Sequence, residues 1–183
     1  MQFCRRYVVH FVALVLTCTA TAQSIDISKA VVMRGSDDSV VAKAVTVLVE
    51  EVEKRSATKL SEAKELPKGE ASAIVAVLAK DLAKLNGKPA DGLSIPDKPE
   101  AYAIWHSGAN NAQIWIAGHD ARGVMFGVGH LLRKLEMRPG RVILPTPLRY
   151  AGAPVDRIRG QQLGYRNANN TWDAWDEKQF DRH

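Results

Sequence analysis

The sequence predicts an α/β chain of the α+β kind: a small mixed β-sheet with helices packed mainly on one face. Three observations carry that reading. The run Ala73-Ile-Val-Ala-Val-Leu78 is apolar throughout, as suits a strand covered on both faces. Residues 40–55 repeat their apolar side chains at three- and four-residue steps, the period of an amphipathic helix. Two alternating stretches, Tyr102–His106 and Ala112–Ala117, flank the polar turn Ser107-Gly-Ala-Asn-Asn111 and form a hairpin, and a second helix follows at once.

In chain order, residues 1–22 stand apart. Arg5 and Arg6 give a basic start, Tyr7–Leu16 is almost wholly apolar, and Ala20-Thr21-Ala22 offers small residues before Gln23. This is the pattern of a cleavable signal peptide, with cleavage after Ala22 and a secreted or periplasmic destination. The apolar run fades into Thr17 and Thr19, short of the roughly 20 residues that a membrane span needs, so no membrane association is expected after cleavage. Both cysteines, Cys4 and Cys18, fall inside this segment. The remainder has no thiol for a disulfide, a metal or a nucleophile, and its stability rests on packing.

Ile25–Met33 alternates loosely and reads as the first strand. Ser36-Asp37-Asp38 supplies capping oxygens for a helix whose apolar set is Val40, Val41, Ala44, Val45, Leu48, Val49 and Val52. Its valines weaken intrinsic helix propensity, so burial on a sheet must hold it. Lys59–Gly69 is polar enough for a short edge strand only. Ala73–Leu78 is the central strand, Lys80–Leu85 a helical turn, and Asn86–Pro99 a surface loop dense in turn formers.

Beyond the hairpin, Asp120 caps a helix whose positions Val124, Val128, Leu131, Leu132 and Leu135 share one face. Gly123 and Gly127, four residues apart, each cost about 1 kcal/mol of helix propensity. Close backbone approach to a neighbouring element is what would offset that cost. From Met137 the chain is punctuated by Pro139, Gly140, Pro145, Pro147, Gly152 and Pro154 around one apolar run, Val142-Ile-Leu144, and 139–156 reads as a connection between domains. Ile158–Tyr165 then reads as a new strand, Asn167–Asn170 as a polar loop and Trp172–Trp175 as the start of a helix. A strand, a loop and one helical turn cannot bury two tryptophans, so 157–183 has the character of a domain's beginning. The expected division is signal peptide 1–22, α/β domain 23–138, linker 139–156 and second unit 157–183.

Composition narrows the chemistry. The chain is 46% hydrophobic and 25% charged, with formal charge +5, and loss of residues 1–22 takes away two arginines and no acid, leaving about +3. So small a balance, with bases scattered among acids, gives no warrant for nucleic-acid binding. Gly118 and Gly123 have the spacing of a phosphate loop, but Val124-Met125 stand where that chemistry needs lysine and a hydroxyl; Gly127-Val-Gly129 begins a dinucleotide pattern in which Leu132 replaces the third glycine. A cytoplasmic nucleotide-binding protein is thereby disfavoured. His106, His119 and His130 follow no metal-ligand spacing, and no cofactor is implied. His119-Asp120 is better read as a turn and cap, with Arg122 solvated or pairing locally.

The end of the chain differs in kind. Trp172, Trp175 and Tyr165 mingle with Gln161, Gln162, Asn167, Asn169, Asn170, Arg159 and Arg166. Flat rings stack on pyranose faces, while amides and guanidinium groups bind hydroxyls or a carboxylate. Carbohydrate is the partner this mixture suits; the competing reading makes the tryptophans ordinary core residues of a domain of which only part is present. Asp173 and Asp176 sit close together on a helix start and serve as capping charge rather than as a catalytic pair.

The stretch Ile116-Ala-Gly-His-Asp-Ala-Arg-Gly-Val-Met-Phe-Gly-Val-Gly-His-Leu-Leu-Arg133, with a Pro-rich link and Ile158-Arg159-Gly160 after it, resembles the N-terminal region of secreted glycoside hydrolases of the α-glucuronidase and β-hexosaminidase type. The resemblance spans Ile25 to Tyr165 and is densest over Asp120–Arg133. It implies a small mixed sheet with helices on one side, followed by the first strand of an incomplete (β/α)8 barrel that begins with an Arg-Gly pair. It also implies that Arg159 reaches substrate hydroxyls or a carboxylate. Gly164 departs from the aspartate that hexosaminidases tend to place there. The paired acids of such hydrolases lie later in the barrel, so no catalytic residue is assigned and this chain alone is expected to be inactive. The substrate-binding residues expected are Arg159, Trp172 and Trp175. A free-standing secreted carbohydrate-binding or interaction module is the alternative.

Overall fold

The computed structural model describes residues 23–67, 71–108, 112–156, 158, 178 and 182. Among these, nine strands, two α-helices and one 3₁₀ helix build an α+β unit. A six-stranded mixed sheet has the order β3 (Ser61–Ala63), β2 (Val31–Arg34), β4 (Ala73–Leu78), β6 (Gln113–Gly118), β5 (Tyr102–Ser107) and β9 (Arg149–Gly152). β3, β2, β4 and β6 run parallel, while β5 is antiparallel to both its neighbours.

The expected central strand is central: all six residues of β4 are buried, between β2 and β6. The expected hairpin pairs Tyr102 with Gly118 and Ser107 with Gln113, which sets Trp105 opposite Trp115. Their rings stack 6.0 Å apart on the face covered by the 3₁₀ helix (Ala79–Leu85) and by Ala90, Leu93 and Ile95 of the long loop.

The opposite face carries both α-helices. α1 (Ser39–Ser56) starts at Asp38, whose carboxylate accepts from the amides of Val40 and Val41 at 2.8 and 3.2 Å. It buries Val41, Ala44, Val45, Leu48, Val49 and Val52, but Val40, grouped with them on sequence, is exposed in the first turn. α2 (Ala121–Lys134) buries Val124, Val128, Leu131 and Leu132 beside α1 and over β6 and β5.

Two expectations change. Ile25–Met33 is not one strand: Asp26 binds the amide and hydroxyl of Ser28, the chain turns, and β1 (Ser24–Asp26) belongs to a different sheet from β2. Nor does 139–156 run as a bare connection. The Val142–Leu144 run lies in β8 (Arg141–Pro145), which pairs antiparallel with β1 and with β7 (Glu136–Arg138) in a three-stranded sheet. Val142 and Leu144 are fully buried against the helix layer. After a cis Thr146–Pro147 bond the chain enters β9, which joins the large sheet at the edge of β5. The prolines mark where one sheet gives way to the other, and partners distant in sequence, β1 for β8 and β5 for β9, fix these short strands.

Candidate interaction surface on the second helix and the edge strand

The β6–α2 connection places α2 tightly. Asp120 accepts from the Gly123 amide at 2.7 Å and from the Glu100 amide at 2.8 Å, so one carboxylate caps the helix and anchors the loop before β5. The same carboxylate occupies the place a phosphate would need at this helix end, which removes the nucleotide reading on physical grounds. Gly123 faces the Ala101 carbonyl so closely that a Cβ would collide with its oxygen, and a Cβ on Gly127 would lie 2.5 Å from Ile116 Cγ2. Both glycines are therefore required by packing, one against the entry to β5 and one against the sheet.

With its inner face so fixed, α2 presents its outer face beside β5 and β9. Tyr102, His130 and Tyr150 gather there. Tyr102 Oη lies 3.1 Å from His130 Nδ1, the Tyr102 and Tyr150 ring centres are 5.5 Å apart, and His130 meets Tyr150 edge-on at 4.6 Å. Partial burial, and then the positive charges of Arg133 and Lys134, push the His130 pKa down. Burial, and then Tyr150, push that of Tyr102 up. Both rings are thereby kept uncharged near neutrality. Tyr150 is 42% exposed. Beside it lies a groove of about 300 Å³, walled by Met125, Phe126, Arg133 and Pro154 and floored at Gly129. The groove combines aromatic surface with one cation, a composition that suits an apolar or amphipathic partner.

A second cavity opens at the carboxyl ends of β2 and β4, where the chain leaves the two strands in opposite directions, a position at which α/β sheets often bind ligands. Its acids are Asp37 and Asp81. Asp37 is exposed beside Arg34 at 3.4 Å. Lys84, and then Ser36, hold the Asp81 carboxyl below its ordinary range, and Ser36 Oγ donates to Asp81 at 2.7 Å while accepting from the Leu78 amide. A glycosidic general acid needs a raised pKa. Asp81 has the opposite electrostatics, and its bond from Ser36 ties the loop after β2 to that after β4.

The histidines take structural positions. His106 Nδ1 accepts from the Leu148 amide at 3.1 Å, and His119 lies 3.4 Å from the exposed Asp97. Arg122 pairs with Glu100 at 2.8 Å. Among the described residues no three His, Cys, Asp or Glu side chains converge as metal ligands, and no helix is long and apolar enough to cross a membrane. Arg159, Trp172 and Trp175, the substrate-binding residues expected from sequence, lie outside the described residues. The Tyr102–His130–Tyr150 cluster was not legible beforehand. Its members are separated by 28 and 20 residues and meet because α2 packs over β5 and β9 pairs with β5. The one usable signal was the polar ends of Tyr102 and His130 on otherwise apolar elements.

No protein-family model matches the chain, and no curated protein matches it. Solved structures do. CpGH84B superposes with a TM-score of 0.55 at 19% identity over 84% of this chain and 24% of that one. An inactive mutant of a GH20 exo-β-N-acetylglucosaminidase from Vibrio harveyi gives 0.52 at 18% identity over 76% and 18%. BtGH115A, a GH115 4-O-methyl-α-glucuronidase with specificity for decorated arabinogalactans, gives 0.52 at 15% identity over 72% and 18%. The matched region spans less than a quarter of the length of each of these structures. At such identities the likeness is one of fold, and the fold of this chain is one it shares with glycoside hydrolases.

Proposed function

We propose that residues 23–156 form an N-terminal, non-catalytic domain of a secreted glycoside hydrolase acting on polysaccharide or oligosaccharide, α-glucuronidase-like or β-N-acetylhexosaminidase-like, and that 157–183 begin its catalytic barrel. The observation that carries this reading is the extent of the likeness. A sheet covered on both faces, with its own core, corresponds to 18–24% of the length of three glycoside hydrolases. The lowered pKa of Asp81, the opposite of what a general acid needs, supports assigning the acid chemistry to another part of the enzyme. Residues 1–22 direct export on this reading. Arg159 binds a substrate hydroxyl or carboxylate, and Trp172 and Trp175 stack on sugar rings.

Reading the coding DNA beyond His183 tests the proposal, together with assays of the longer product on β-N-acetylglucosaminides and on glucuronic-acid-bearing xylan. Continuation into a barrel with two acids and hydrolysis by that product are expected. A native stop at His183 with no barrel in any downstream frame would overturn it. If this chain then bound glycans and lost binding on Trp172→Ala or Trp175→Ala, a free-standing carbohydrate-binding module would take its place.

A further inference from the structure

Tyr150 does not stand away from its strand. Residues two apart on a β-strand share a face, and the hydroxyl end of the Tyr150 ring reaches along β9 over Gly152, where a Cβ would lie 2.4 Å from Oη. Gly152 is opposite Tyr102 in the β5–β9 register. The reclined ring is held there 5.5 Å from that of Tyr102, at a tilt of 36°, with the His130 ring edge-on at 4.6 Å. Covering a glycine stabilises an edge strand, yet Tyr150 remains 42% exposed. The arrangement is a fixed aromatic plate at the surface. It borders two hollows, one of about 300 Å³ beside Phe126 and Arg133 and one of about 240 Å³ beside His130, Lys134 and Pro147. Among the described residues no acid lines either. Arg133 and Lys134 occupy the last turn of α2, where the helix dipole favours positive charge. Lys84, Arg122 and Arg141 each meet a carboxylate, whereas none among the described residues pairs with Arg133 or Lys134, and theirs are the charges that act on His130. Arg149 also borders the second hollow, but its guanidinium bonds the Asp91 carbonyl.

We propose that Tyr150, flanked by Arg133 and Lys134, is a binding site for acidic polysaccharide, taking two adjoining uronic acid units with a pyranose face on the tyrosine ring and carboxylates on the two cations. A flat ring receives the apolar C–H face of a sugar. A cation without a carboxylate of its own binds one through charge-assisted hydrogen bonds. Two such cations beside one ring match one or two carboxylates. A nucleic acid strand carries a phosphate on every unit and calls for a longer basic track than these hollows hold. The choice of a sugar acid among flat anions rests on the proposed hydrolase reading, which it deepens: the accessory domain holds an acidic polysaccharide that another part of the enzyme cuts.

NMR titration of the full chain with digalacturonic acid is the test, with galacturonic acid, cellobiose, inorganic phosphate and a short single-stranded RNA as comparisons. Saturable shifts of Tyr150, Arg133 and Lys134 are expected, and the diacid should bind at least tenfold more tightly than cellobiose or the monomer. Replacing both cations, Arg133→Gln with Lys134→Gln, touches exposed positions only and is expected to weaken binding at least tenfold. Tyr150→Ala should do the same, and Gly152→Ala, which displaces the ring, should weaken binding as well. The near-ultraviolet signal of the Trp105–Trp115 pair should stay unchanged in every variant. No saturable shift at these residues, equal affinity for the diacid and cellobiose or the monomer, or binding untouched by the double substitution would overturn the proposal. So would phosphate giving the same shifts at the same affinity, which would leave a simple anion site, or tighter binding of the RNA, which would assign the surface to nucleic acid. Binding is read on this chain and the hydrolase reading on the sequence beyond His183, so the two can fail separately.

Discussion

Tyr102 on β5 and His130 on α2 meet through Oη and Nδ1 at 3.1 Å, with their rings edge to face and 5.9 Å between centres. Tyr150 of the edge strand closes over both. The contact joins the sheet to the helix on the surface where the chain leaves the domain.

His130 sets a pH dependence. Its folded pKa is depressed by burial and by Arg133 and Lys134, so the unfolded chain binds more protons than the folded one in the window just below pH 6.5. Stability from this group is complete above that window and is lost as pH falls through it. The thermal midpoint is expected to drop between pH 7 and pH 5. In His130→Gln the part of that drop due to this group should vanish, which paired melting curves of the two proteins would measure.

The helix glycines should be intolerant of one added carbon. Gly127→Ala is expected to cost about 1–3 kcal/mol, because Ile116 must shift within a packed layer. Gly123→Ala should cost more. Its obstacle is a backbone carbonyl that also accepts from the His119 amide at 2.8 Å and so cannot swing away. Urea midpoints of the two variants should fall in that order below the parent.

Asp120→Ala removes a helix cap and a tether to the Glu100 amide together, and a loss of about 1–2 kcal/mol is expected. Arg122→Ala should change stability by no more than about 0.5 kcal/mol, because Arg122 lies largely in solvent. Equal losses in the two variants would show that the local ion pair, not the cap, holds this corner.

Ser36→Ala leaves the buried Leu78 amide without its hydroxyl acceptor, and about 1–3 kcal/mol is the expected cost. The same change takes one hydrogen bond from Asp81, whose carboxyl should titrate upward toward its ordinary range while Lys84 still holds it partly down. Carboxyl carbon shifts followed by NMR would report this. An unmoved Asp81 would mean that Lys84 alone sets its charge.

Much of the fold was legible because its strongest signals are local. The apolar run 73–78 could only be an interior strand. The period of residues 41–52 could only bury one helical face. Asp38 and Asp120 sit where helix starts need an acceptor, and Gly123 and Gly127 announced close packing before the obstacle was known. Val40 was misplaced because a first-turn residue can satisfy the period and still stand exposed. The split of 25–33 into two strands, and the recruitment of 141–152 into two sheets, were hidden for a different reason. Strands of three to five residues carry too little pattern to show their partners, and the prolines around β8 and β9 look the same in a linker as at a crossing between sheets.

By itself, then, the sequence determined the fold class, the central strand, the two helices with their caps and the resemblance to glycoside hydrolases, because each rests on the period or chemistry of neighbouring residues. Only the tertiary structure decided what β8 and β9 are, which backbone atom forbids a side chain at Gly123, and that Tyr102, His130 and Tyr150 share one surface. Those facts depend on strand pairings between residues tens of positions apart, which the fold brings into contact and no local pattern encodes.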